Sequence, residues 1–183
     1  LSRLCGIYWR PVYSFIRCRG HSQHDAEDYA QGFFEALIEK DYLKSVDRER
    51  GKFRSFLMAA VRHYLSDQYD RQRALKRGGK APKISLDVEA AEKAVESELA
   101  ISEEPESAFD RAWAATVLER SISKLRLQFE SRGKGKRFEI LQGCLSGGLS
   151  QSYAEIAKEL GVSEDVVKSE VKRMRENFRN LLR

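Results

Sequence analysis

Proline, cysteine and long apolar runs are all scarce in this sequence. Three prolines in 183 residues, with no stretch in which apolar and polar residues alternate, argue against a strand-rich fold and leave helices. No run approaches the roughly 20 apolar residues of a membrane-spanning helix. No secretory leader is visible either, so no membrane insertion and a cytoplasmic location are expected. Cys5, Cys18 and Cys144 are odd in number and far apart, which suits free thiols in a reducing compartment. Leu1 stands where an initiator methionine would, so upstream residues are expected.

Chemistry-bearing clusters are missing too. Cys18, His21 and His24 have a ligand-like spacing, but no fourth ligand is evident where structural zinc usually takes four, so no metal is expected. The loop Ser131 to Arg137 sets Gly133 and Gly135 among Arg132, Lys134, Lys136 and Arg137. It lacks the GxxxxGK[ST] spacing and the preceding strand of a phosphate-binding loop, and reads as a flexible basic loop. No nucleophile, base and orienting residue come together. Neither catalysis nor a cofactor is expected.

What the sequence does have is charge, unevenly placed. The net charge of +5 hides three blocks. Residues 1–85 carry 17 Lys and Arg against 10 Asp and Glu, residues 86–110 carry one Lys against nine acids, and residues 111–183 carry 15 cations against nine acids. Two basic modules that attract a polyanion, joined by an acidic linker that does not, is the simplest reading. The acidic tract Asp87 to Glu106 is expected to be a solvated linker, or else to imitate nucleic acid and rest on the basic surfaces of the free protein.

The clearest local pattern runs from Tyr153 to Arg175. Tyr153, Ile156, Ala157 and Leu160 recur at helical spacing up to Gly161, a residue suited to the left-handed conformation that ends a helix. A second helix then starts at Ser163, with Glu164 and Asp165 near its positive end and Val167, Val171, Met174, Phe178 and Leu181 as one apolar stripe. Two short helices, a small Ala157 at their approach and a glycine turn form a helix-turn-helix pattern. Asp165, Ser169, Lys172 and Glu176 fall on the outer face, flanked by Lys168, Arg173, Arg175 and Arg179, cations that can meet phosphates from a major groove.

The first half is helical as well. Leu4, Ile7, Tyr8, Val12, Phe15 and Ile16 mark a first helix with Pro11 as a break or kink, ending near Gly20. Ser22 and Asp25 resemble a capping box, and Ala26, Tyr29, Ala30, Phe33, Phe34, Leu37 and Ile38 give the cleanest periodicity of the chain. After a polar loop from Asp41 to Lys52, Phe53, Phe56, Leu57, Ala60, Val61, Tyr64 and Leu65 point a third helix inward. Beyond them cations mix with His63, Tyr64 and Tyr69, a combination that suits single-stranded nucleic acid, although Phe53, Phe56 and Tyr64 read as core. From Phe109 a further helix is expected through Trp113, Val117, Leu118, Ile122 and Leu125, then another over Phe138 to Leu145.

Asp25 to Phe34, Gly51 to Leu57, Asp67 to Arg71 and Lys76-Arg77-Gly78-Gly79 resemble the second domain of bacterial sigma factors of the extracytoplasmic-function class. Tyr153 to Arg175 resembles their fourth domain. The resemblance implies an all-α protein of two small helical domains: residues 1–79, an acidic linker 80–108, and residues 109–183 ending in the helix-turn-helix. Its implied partners are core RNA polymerase and promoter DNA, with an anti-sigma factor as a further candidate. Asp28, Gln31 and Glu35 would dock on the polymerase. Arg62, Asp67, Tyr69, Arg71, Arg73, Lys76 and Arg77 would hold the minus-ten element, and Lys168, Ser169, Lys172, Arg173 and Arg175 the minus-thirty-five element.

Three residues depart from the pattern. Gly32 stands where an acid is common, at a cost of about 1 kcal/mol in a helix interior, which calls for close packing or implies a weakened contact. Val166 replaces a frequent threonine, and Glu170 a usual basic residue. By its position Glu170 lies on the packed flank, where a Lys or Arg can pair with it. A helix-turn-helix regulator independent of polymerase, and a degenerate sigma homologue acting only by protein contact, are the alternatives.

Overall fold

A computed structural model of the chain describes residues 2–39, 53–74, 104–145 and 151–182, with side chains for 5–39, 53–70, 104–145 and 151–182. Their regular elements are α1 (Ser2–Cys18), α2 (Gln23–Glu39), α3 (Phe53–Ala74), α4 (Pro105–Glu130), α5 (Gly135–Leu141), a 3-10 turn (Gln142–Leu145), α6 (Tyr153–Leu160) and α7 (Glu164–Leu181). The fold is all-α, as the scarcity of proline and of strand patterns implies. The chain divides into two compact bodies, Leu1–Ala114 and Ala115–Arg183, and the division falls within α4.

In the first body α1 does not break at Pro11, which is itself buried. Trp9 on one side of it and Val12, Tyr13, Phe15 and Ile16 on the other are all buried in the same core, so packing holds both halves despite the lost backbone donor. Gly20, at φ 89°, turns the chain. Ser22 then caps α2: its hydroxyl accepts from the Asp25 N–H at 3.1 Å and donates to the Asp25 carboxylate at 2.7 Å. The expected apolar face of α2 is buried at Ala26, Ala30, Phe33, Phe34 and Leu37 and partly buried at Tyr29, whereas Ile38, expected on the same face, is exposed near the end of the helix. Leu57, Val61 and Leu65 of α3 complete the core, with Phe53, Phe56 and Tyr64 packed against it.

Phe109, which the periodicity groups with the second domain, is fully buried in the first core. The reason is that α4 begins earlier, at Pro105, so its first turns carry Glu106, Asp110 and Trp113 to the cations of α3. The Arg54 guanidinium lies 4.9 Å from the centre of the Trp113 ring and 3.5 Å from the Asp110 carboxylate. Linker residues 80–103, Gly78-Gly79, Gly147-Gly148 and the loop Asp41 to Lys52 lie outside the described residues.

The second body is built on Leu125 of α4, Phe138 and Leu141 of α5, Cys144, Ile156 and Ala157 of α6, and Val167, Val171 and Met174 of α7. Helix α6 starts with a reciprocal cap: the Ser152 hydroxyl accepts from the Glu155 N–H at 3.3 Å, and the Glu155 carboxylate accepts from the Ser152 N–H at 2.7 Å. Gly161, at φ 64°, ends it. The Val162 N–H reaches back to the Ala157 carbonyl at 3.0 Å and the Gly161 N–H to Lys158 at 3.3 Å, closing the turn that leads into α7. Ser163 occupies the N-cap of α7 without a side-chain hydrogen bond.

Candidate nucleic-acid and polymerase surfaces

Burial of Ala26, Ala30, Phe33 and Phe34 turns the opposite side of α2 outward. There Gln31 donates to Glu35 at 3.0 Å, and His24 lies 3.7 Å from an exposed Asp28. Asp28, Gln31 and Glu35 therefore share one polar ridge. Gly32 lies beside it and faces α3: a Cβ there would collide with the Tyr64 hydroxyl. Close packing thus explains the glycine.

On α3 the candidates separate. Residues 62, 66, 69 and 73 follow one another at spacings of four, three and four, one stripe of the helix. Arg62 and Tyr69 are both exposed on it, Tyr69 at 62%, so this ring lies at the surface while Phe53, Phe56 and Tyr64 serve the core. Asp67 is elsewhere. It borders an apolar groove of about 260 Å³ between α2 and α3, with Phe33, Leu37, Phe56, His63 and Tyr64. Arg71 and Arg73 are helical, but their side chains lie outside the described set, and Lys76 and Arg77 lie outside the described residues.

Arg62 is not free. Its guanidinium donates to the Glu106 carboxylate, the last acid of the tract 87–106. The backbone N–H of Glu106 itself, and then Arg62, hold that carboxyl below the usual glutamate range. The charged form prevails at neutral pH, and the pair is lost only as pH falls through the lowered value.

In the second body, burial of Val167, Val171 and Met174 leaves Asp165, Val166, Ser169, Lys172, Arg173 and Glu176 exposed along α7. Lys168 pairs with Glu164 at 2.8 Å, which raises its ammonium above the usual lysine range. No described carboxylate pairs with Lys172 or Arg173. Arg175 points elsewhere: its Nε and one terminal nitrogen both donate to the Cys144 carbonyl, at 2.9 and 2.7 Å. It stands one turn after buried Val171, on the packed flank, and ties α7 to the end of the 3-10 turn. Glu170 occupies the other flank and accepts from Arg137 Nε at 2.7 Å, both side chains largely covered at 17% and 24% exposure. An acid at this position is therefore an internal contact of the domain.

Sequence reasoning missed the cap at Ser152, although Ser-x-x-Glu was legible. His21 packs edge-on against Tyr29, with ring centres 5.0 Å apart. No cluster of three metal-ligating side chains occurs among the described residues, and no described helix is long and apolar enough to cross a membrane.

These features define an all-α protein that presents cationic helical faces and one polar ridge. The model of the ECF sigma factor family matches residues 15–183, and the chain belongs to that family. As a sigma factor it is a non-enzymatic, DNA-binding regulator that acts in transcription initiation with RNA polymerase and promoter DNA. No curated protein and no solved structure matches the chain.

Proposed function

We propose that this sigma factor grips core RNA polymerase with the α2 ridge and two promoter elements with separate helices. Asp28, Gln31 and Glu35 dock on the polymerase. Residues 1–79 handle the minus-ten element: Arg62 and Tyr69 follow phosphates and stack a base of the opened non-template strand, with Asp67, Arg71, Arg73, Lys76 and Arg77 as the further contacts of that region. The second body, within residues 109–183 and starting at Ala115, recognises the minus-thirty-five element through α6, the Gly161 turn and α7 as a helix-turn-helix, with the part of residues 80–108 ahead of α4 as the connector. Lys168, Ser169, Lys172 and Arg173 enter the major groove side, while Arg175 contributes by holding α7 in place.

The observation that carries this reading is the exposed row Ser169, Lys172 and Arg173 standing over the buried Val167, Val171 and Met174. Runoff transcription with added core polymerase on a genomic fragment library tests it. Promoter-specific transcripts that require the chain are the expected result. Duplex binding without polymerase association would instead make the protein an independent regulator.

Two outcomes follow. Asp28→Lys with Glu35→Lys reverses the ridge charge at partly or fully exposed positions, so the melting temperature should hold while association with core polymerase weakens by about tenfold or more. Pull-down with core enzyme at low salt measures this, and undiminished association removes the ridge from the docking surface. Glu106→Gln frees Arg62 from an exposed ion pair, which is worth at most about 1 kcal/mol. Binding of a single-stranded oligonucleotide should tighten by no more than roughly fivefold. Unchanged affinity at matched salt would remove Glu106 as a mask.

A further inference from the structure

The basic loop after α4 is held firmly at both ends. Gly133, at φ 69°, donates its N–H to the Glu130 carbonyl at 2.9 Å, and the Lys134 N–H reaches the Phe129 carbonyl at 2.9 Å. That pair of bonds is the Schellman closure of a helix. The Ser131 hydroxyl adds a bond to the Gln128 carbonyl at 3.1 Å. At the far end Arg137 is locked onto Glu170 of α7. The segment that composition marks as a flexible loop is a tight turn over residues 131–134 followed by the first turn of α5, and it lies along one flank of α7.

Between loop and helix lies a cleft of about 160 Å³ bordered by Phe129, Arg132, Lys134, Glu170, Arg173 and Met174. Its one carboxylate is neutralised by Arg137. Arg132, Lys134 and Arg173 are exposed, have no described carboxylate partner, and leave the cleft positive. The volume falls below the roughly 300–1,000 Å³ of small-molecule sites, so it suits one phosphate group of a larger ligand.

Helical geometry names the ligand. Lys168, Lys172, Arg175 and Arg179 border a second recess with Tyr153 and one carboxylate, Glu176, on the α6 side of α7, whereas Arg173 turns toward the loop. A helix lying in a major groove about 12 Å wide has a phosphate backbone on either side. Here each flank carries more cations than acids, Lys172 and Arg179 on one, unpaired with any described carboxylate, and Arg132, Lys134 and Arg173 on the other. We propose that Ser131–Arg137 is a second clamp on duplex DNA: Arg132 and Lys134, with Arg173, grip the phosphates of the strand opposite the one met by Lys168 and Lys172. The contact is independent of base sequence. It also accounts for Glu170, since an acid there anchors two cations on the loop in place of one on the helix. The inference rests on the placement of α7 in the groove.

The test is a salt titration of the full chain on a short mixed-sequence duplex, read by fluorescence anisotropy. Arg132→Ala with Lys134→Ala should weaken binding by roughly ten- to a hundredfold near 0.1 M salt and flatten the slope of log K against log salt by about 2. Both side chains are exposed, so the melting temperature should hold, and the exchanged pair Arg132→Lys with Lys134→Arg should restore the slope. An unchanged slope in the alanine pair, with a flattened one in Lys168→Ala with Lys172→Ala, overturns the clamp and leaves the α7 reading standing. If neither pair changes the slope, or the unaltered chain does not bind at low salt, both readings fall. Weakened polymerase association with an unchanged DNA slope would assign the loop to the polymerase and also overturn the clamp.

Discussion

Phe138→Ala is expected to destabilise the second body by about 3–5 kcal/mol. Phe138 is fully buried, with the Phe129 ring centred 5.5 Å away and the Arg126 guanidinium 5.5 Å from its own ring centre. It is the largest side chain that α5 contributes to the core shared with Val167, Val171 and Met174 of α7, so truncation leaves a cavity beneath the helix proposed to enter the major groove. Denaturant unfolding followed by far-UV circular dichroism measures the loss. Both tryptophans, Trp9 and Trp113, lie in the first body, so their fluorescence gives an internal reference. A loss below about 1 kcal/mol would mean that Phe138 is not enclosed.

Gly32→Ala is expected to reverse the sign that helix propensity dictates. Alanine in a helix interior gains about 1 kcal/mol over glycine, but here the new methyl meets the Tyr64 hydroxyl. The hydroxyl can move only with its rigid ring, and tilting that ring disturbs its edge-on contact with Phe33, whose centre lies 5.7 Å away. Overpacking of this kind costs about 1–3 kcal/mol, so a net loss is expected. With the hydroxyl removed the nearest ring carbon stands 3.5 Å from the added Cβ, an ordinary contact. In a Tyr64→Phe background the same change should therefore stabilise by up to about 1 kcal/mol. A double-mutant cycle on unfolding midpoints isolates the coupling, and equal effects of Gly32→Ala in both backgrounds would refute it.

The two cases differ in what the sequence could reveal about them. Phe138 was legible as an apolar residue at helical spacing, as were the Ser22 cap, the buried face of α2, the Gly161 turn and the stripe from Val167 to Leu181. Each depends on residues within a few positions of one another, where periodicity and turn chemistry act directly. Gly32 was legible only as an anomaly. Its explanation waits on a tyrosine from another helix.

The candidate site divides along the same line. Which cations exist, and on which side of a helix they fall, follows from the chain alone, because an amphipathic stripe can be buried in one orientation only. So did the all-helical class, from what the composition withholds. Where each charged side chain ends was decided by packing. Arg175 bonds a carbonyl 31 positions away, Glu170 meets Arg137 across 33, and Arg62 meets Glu106 across 44. A long side chain has several reachable partners, and no local rule chooses among them until the helices are stacked and water is excluded from some of those partners and not from others.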